Sequence, residues 1–174
     1  MIADLEIIET GNGGDARLVS RDLFMISGWE NMPYLAMFGG NLRQSTGATR
    51  AEAEQAFDWW GNRLLFSDTP ELQFNSLTER RLNSVALNSS GRLLVEQAIV
   101  RDLEFMQAFA EISVETAITG PDRLEIRISI RKPEQLQEQV YIYLWDGILQ
   151  NLSALSTSVD NADFNNDFND DFNS

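Results

Sequence analysis

The sequence predicts an α+β fold: an N-terminal β-hairpin, an irregular Trp-containing middle, and a long helix packed on a three-stranded antiparallel sheet, followed by an acidic tail that is disordered or ordered by a partner. Three observations carry this reading. Residues 112–130 alternate apolar and polar side chains on both sides of a Gly-Pro-Asp turn, residues 91–110 carry an apolar stripe at helical spacing, and residues 153–174 switch to an acidic repeat.

The chain opens with strand-like stretches at Leu5 to Glu9 and Arg17 to Ser20, separated by Gly11-Asn12-Gly13-Gly14, residues that supply the positive φ angles of a tight reversal. A third short stretch, Asp22 to Ile26, follows. Trp29 to Phe38 is apolar and closes with Gly39-Gly40-Asn41, as a short helix with a glycine stop does. Asn41 to Asn75 reads as irregular apart from a helical pattern at Ala51 to Trp60, and Gly61-Asn62 reads as a turn.

From Gly91 to Ala110, with Ser89 or Ser90 as cap, helical winding puts Val95, Ile99, Leu103, Met106 and Ala110 on one stripe and Gln97, Arg101 and Glu104 opposite. Leu93, Leu94, Val100 and Phe105 fall on the flanks, so the apolar arc is wider than one sheet covers. In the hairpin, Ile112, Val114, Thr116 and Ile118 alternate, Gly120-Pro121-Asp122 turns, and Leu124, Ile126, Ile128 and Ile130 alternate again. The last strand, Val140 to Trp145, sets Val140, Ile142 and Leu144 on one face and Tyr141, Tyr143 and Trp145 on the other. Facing Leu124 to Ile130 toward the helix together with Val140, Ile142 and Leu144 leaves Arg127, Arg131, Tyr141, Tyr143 and Trp145 on the outer face, an expected protein interface because Arg, Tyr and Trp dominate interface energetics. An ordinary solvent-facing sheet also carries such residues.

At 174 residues the chain has the size of one domain with an appendage: a body at 1–150 and a tail at 151–174. The tail repeats Asp-Phe-Asn at 163–165, 167–169 and 171–173. Phe164, Phe168 and Phe172, four apart, share one side of a helix and suit a groove on a basic partner, while the polar, charged composition suits a disordered solubilising tail. Asp160, Asp163, Asp167, Asp170 and Asp171 lack the ligand order of a calcium loop, so no metal is expected.

Composition excludes most chemistry. There is no Cys and no His, which removes thiolate and imidazole nucleophiles, bases and metal ligands, and no cofactor is expected. A net charge of -14 argues against general nucleic-acid binding, and no apolar run is long enough for a membrane span. Met1 to Thr10 lacks the basic start of a signal peptide, which points to synthesis in a cytoplasm. Of 13 basic residues only Lys132 is a lysine, and arginine is the cation favoured in interfaces. Carboxylates are the catalytic option that remains. Glu52 with Glu54, or Asp68 with Glu71, are close pairs, but 27 acids make close pairs inevitable and no spacing selects one. Trp59 and Trp60 suit an interface anchor or, for at least one of them, the core.

The order of elements, together with Asp22-Leu23-Phe24-Met25, Asp58-Trp59-Trp60-Gly61-Asn62, the long helix, the Ile112 to Lys132 hairpin and the strand ending in Trp145, resembles the gene product 46 family of Mu-like phages. These are baseplate wedge proteins related to the gene product 25-like sheath initiators of contractile tails. Where the family tends to show Leu-Trp after the paired tryptophans, this chain reads Leu77-Thr78, and the Glu-Pro-Arg motif of the sheath initiators is replaced by Ala110-Glu111-Ile112, so no role of that motif carries over. The resemblance implies a non-enzymatic structural subunit of a virion tail baseplate or related injection machine, assembled in the host cytoplasm. It would be present in several copies and would bind a larger wedge protein, the tail hub or spike, and sheath or tube subunits, with neither nucleic acid nor membrane as partner. A carboxylate-based muralytic hydrolase and an acidic nucleic-acid mimic are the alternatives.

Overall fold

The computed structural model describes residues 3–9, 14–27, 31–40, 60–133, 138–149 and 151–160. They form an α+β fold. The expected helical pattern at Ala51 to Trp60 lies, but for Trp60, outside the described residues, as do Gly11 to Gly13 of the first turn.

The N-terminal segment is a three-armed β-ribbon rather than a single hairpin. β1 (Ala3–Leu5) pairs with β6 (Met25–Ser27), β2 (Ile7–Glu9) with β3 (Gly14–Ala16), and β4 (Leu18–Val19) with β5 (Asp22–Leu23), all antiparallel. One residue at each break closes a ring of backbone hydrogen bonds: the Glu6 amide donates to the Phe24 carbonyl, Phe24 to Arg17, and Arg17 to Glu6. At this junction the Arg17 guanidinium lies 3.0 Å from a Glu6 carboxylate oxygen and 5.2 Å from the Phe24 ring centre. Ser20 and Arg21, at the tip between β4 and β5, both hold positive φ (53° and 69°), as a two-residue turn matched to strand twist demands. Asn31 fastens the ribbon to the body: its amide nitrogen donates to the Leu5 carbonyl (2.6 Å) and its oxygen accepts from the Ile7 amide (3.0 Å).

α1 (Met32–Phe38) carries Pro33 in its first turn and stops at Gly39, the expected glycine stop. A Cβ at Gly39 would stand 2.3 Å from the Leu35 carbonyl oxygen and 2.8 Å from Phe74 Cβ, and Gly40 holds φ 147°, so neither position takes a side chain without rearrangement. α2 (Trp60–Phe66) takes in Gly61-Asn62, which is therefore helical and not a turn. A 3-10 turn at Pro70–Leu72 follows inside the stretch expected to be irregular, and α3 (Thr78–Ser84) lies just beyond it, where no element was expected.

α4 (Ser89–Asp102) is capped by Asn88, not by Ser89 or Ser90: the Asn88 side chain accepts from the Gly91 amide at 2.9 Å. The long helix also ends earlier than Ala110, passing at Leu103 into a 3-10 stretch, Glu104–Ala108. The stripe survives the change of pitch, for Val95, Ile99, Leu103 and Met106 are fully buried and Ala110 nearly so.

The sheet has four strands, in the order β10-β9-β8-β7: β7 (Glu111–Gly120), β8 (Arg123–Arg131), β9 (Glu138–Asp146) and β10 (Asn151–Asp160). The expected count of three missed β10, so the sheet runs past the boundary drawn at residue 150. Its register shifts between Ala154 and Ser156, and this bulge breaks the alternation that would have marked it as a strand. The hairpin of β7 and β8 turns at Pro121-Asp122 as expected, with Asp122 at φ 53°.

Register corrects the facing of β9. Leu124 lies opposite Trp145, Ile126 opposite Tyr143, and Ile128 opposite Tyr141, so these six share one face and all are buried in the core with the α4 stripe. Both faces of β9 are apolar, so alternation alone does not choose between them. Turning the three aromatic rings inward buries the larger area.

Candidate interaction surface

Three of the residues expected at an interface are thus core residues: Tyr141, Tyr143 and Trp145 are only 3–5 % exposed. Burial pushes the Tyr143 phenol well above its ordinary range, with the neighbouring Tyr141 adding to the effect. Arg127 and Arg131 do lie on the outer face, separated from the aromatics by the thickness of the sheet. Arg127 is half-buried opposite Glu115 on β7 and Ile142 on β9. Arg131 is exposed at a strand end, where its Nη2 and Nε donate to Glu111 and hold its guanidinium pKa up. Trp59, the side chain of Trp60, Phe164, Phe168 and Phe172 lie outside the described residues.

The flank of α4 is where the sequence expectation and the structure coincide. Leu93, Leu94, Val100 and Phe105 are each 42–46 % exposed, although α3 and β7 already pack against the helix. The ribbon adds a second apolar surface: Leu18, Leu23 and Met25 are at least half exposed, clustered around the tip that carries Arg21.

Beside the end of α4 runs an apolar groove of about 520 Å³, walled by Met32 and Ala36 of α1, by Phe66, Leu72, Phe74 and Leu77, and by Phe105 beyond α4. Phe74 and Phe105 meet edge to face at 6.2 Å. Arg101, Glu71 and Asn75 also line it. The Asn75 side-chain oxygen is buried and accepts no hydrogen bond among the described residues.

Three polar residues that sequence reasoning missed, Asp102, Ser76 and Asn62, tie together the segments around the groove. Asp102, the last residue of α4, accepts from the Leu77 amide (2.9 Å), the Thr78 amide (2.8 Å), the Thr78 hydroxyl (2.7 Å) and the Ser76 hydroxyl (3.3 Å), so it caps α3 from a distance. Burial raises its carboxyl pKa to about 6, while these four hydrogen bonds pull the other way. The single Ser76 hydroxyl proton is shared between Asp102 and the closer Met37 carbonyl. Asn62 is 1 % exposed and clamps two segments: its amide nitrogen donates to the Gly39 carbonyl at 2.9 Å, and its oxygen accepts from the Phe74 amide at 3.0 Å. The signal for Asp102 was its place on the buried stripe, three residues after Ile99 and seven after Val95, where a carboxylate requires a partner.

A polar hollow at the edge of β7, about 360 Å³, is internally satisfied. Arg92 Nη1 donates to Glu96 (2.8 Å) and to the Thr116 carbonyl (3.0 Å), and the Thr116 hydroxyl donates to Glu96 (2.7 Å), so the arginine occupies an edge carbonyl that a foreign strand would use. Of the carboxylate pairs considered, Asp68 and Glu71 are exposed and Glu52 and Glu54 lie outside the described residues. Among the described residues no three acidic side chains gather as a metal site, and no helix is long and apolar enough to cross a membrane.

Comparison of the chain with protein-family models, with curated proteins and with solved structures finds no match.

Proposed function

We propose that this chain is a structural subunit of a contractile-tail baseplate, a wedge or sheath-initiator-like protein that acts by contacts with a larger wedge protein and with hub, sheath or tube subunits. The specific assignment rests on the sequence resemblance. The observation that favours a contact-making role is the flank of α4 and of the 3-10 stretch after it, where Leu93, Leu94 and Val100, and then Phe105, stay 42–46 % exposed beside a fully buried stripe. Exposed apolar residues grouped on one rigid element are the usual mark of a docking face. This face replaces the aromatic face of the sheet, which the core has consumed. Arg127 and Arg131 are left as contributors on the other side.

The test is co-expression with a large baseplate wedge protein from the same source. Co-purification of the two at constant stoichiometry supports the role; a chain that stays alone, in the presence of a folded wedge protein, contradicts it.

A further inference from the structure

The groove between α1 and the end of α4 needs an occupant, and the chain itself carries one of matching chemistry. We propose that the groove is the docking site of the chain's own C-terminal residues 161–174, with Phe168 and Phe172 as anchors.

Three observations lead there. The first is where the described chain ends. Asp160 pairs with Glu138, which pairs with Arg131, which pairs with Glu111, so β10 finishes at the sheet end where β7 emerges from the 3-10 stretch carrying Phe105. Three strand spacings are about 14 Å. The fourteen residues beyond Asp160 span up to about 46 Å when extended, so Phe168 and Phe172 have ample reach.

The second is chemistry. The groove is walled by Met32, Phe66, Leu72, Phe74 and Phe105, and its volume of about 520 Å³ accommodates aromatic rings. Arg101 at the rim matches the tail's aspartates. Two carboxylates also line the groove: Glu71 is exposed to solvent, and Asp102 is engaged by the donors of Leu77 and Thr78.

The third is tethering. A segment joined a few residues away is present at an effective concentration in the mM range, well above what a second copy supplies in dilute solution, so the chain's own tail occupies the site first. Docking there would cover the Phe105 side of the α4 flank, so the tail would compete with any partner that uses that side.

The absence of Cys makes the test clean. A nitroxide is placed on Ser174→Cys of the full-length protein, and the paramagnetic broadening of backbone amides is read in the same labelled chain. Broadening of the Leu72, Phe74 and Phe105 amides, lost when Phe168 and Phe172 are replaced together by Ala, is the expected result. A second sample mixes spin-labelled chains with isotope-labelled chains that carry no spin label. Broadening of the groove amides in the mixture at equal strength would assign the site to a second copy and overturn the proposal. Groove amides that stay sharp in both samples, or broadening that survives the double Ala variant, would overturn it as well.

Discussion

Asp102 caps α3 across a gap of 24 residues, accepting hydrogen bonds from both the amide and the hydroxyl of Thr78 at 2.8 and 2.7 Å. Asp102→Ala strips those donors together with Leu77 and Ser76, and should cost about 3 kcal/mol in chemical denaturation. Asp102→Asn keeps one acceptor and should lose about half as much. The pair also carries a pH signature. The native carboxyl, with pKa about 6 against 3.8 when unfolded, binds its proton first as pH falls. Wild type therefore gains stability relative to Asp102→Asn between about pH 7 and pH 4, by an amount on the order of 3 kcal/mol at full titration. A difference that stays flat over that window, or shrinks on acidification, would refute the burial of this group.

The facing of β9 is tested by substitutions on the two faces of the sheet. Ile128→Asp places a charge against Tyr141 and the α4 stripe, where nothing pairs with it, and should unfold the body. Tyr143→Ala should cost about 3–5 kcal/mol, as buried aromatic truncations do. Arg127→Ala, on the outer face, should cost about 1 kcal/mol or less. Melting curues in which Tyr143→Ala and Arg127→Ala behave alike would mean that the ring is not in the core.

Asn62→Ala removes a clamp between the α1 stop and Phe74, leaving the Phe74 amide and the Gly39 carbonyl without that partner. The expected loss is about 2–3 kcal/mol. Asn62→Asp keeps the acceptor but sets a buried carboxylate against the Gly39 carbonyl, and should cost at least as much as the Ala variant. Hydrogen exchange at the Phe74 amide reports the same event locally: its protection should drop in Asn62→Ala more than that of the Val95 amide in the core.

The parts legible in the sequence are those where one face is apolar and the other polar. The alternation of Ile112, Val114, Thr116 and Ile118 against Leu124 to Ile130 fixed the hairpin and its turn, and the spacing of Val95, Ile99, Leu103 and Met106 marked the buried stripe even where the helix tightens. The surface on α4 was legible for the same reason, since Leu93, Leu94, Val100 and Phe105 were apolar residues in excess of what one sheet covers. Where both faces carry apolar residues, as in β9, period two still marks the strand but no longer tells inside from outside. β10 escaped because its bulge shifts the period after Ala154 and its serines resemble a linker. Asn62 and Ser76 were missed because their partners lie 12 and 39 residues away, a distance at which no local pattern speaks, and Asp102 because its place on the buried stripe says that it needs a partner but not which one.

The claim that the exposed flank of α4 is a docking face is tested most directly by the double variant Leu93→Glu/Val100→Glu, co-expressed with the larger wedge protein. Both side chains are more than two-fifths exposed, so the fold should melt within a few degrees of wild type. The account predicts that this folded variant no longer co-purifies, at a cost of about 2 kcal/mol or more per anchor residue. A variant that melts normally and co-purifies at wild-type strength would contradict it.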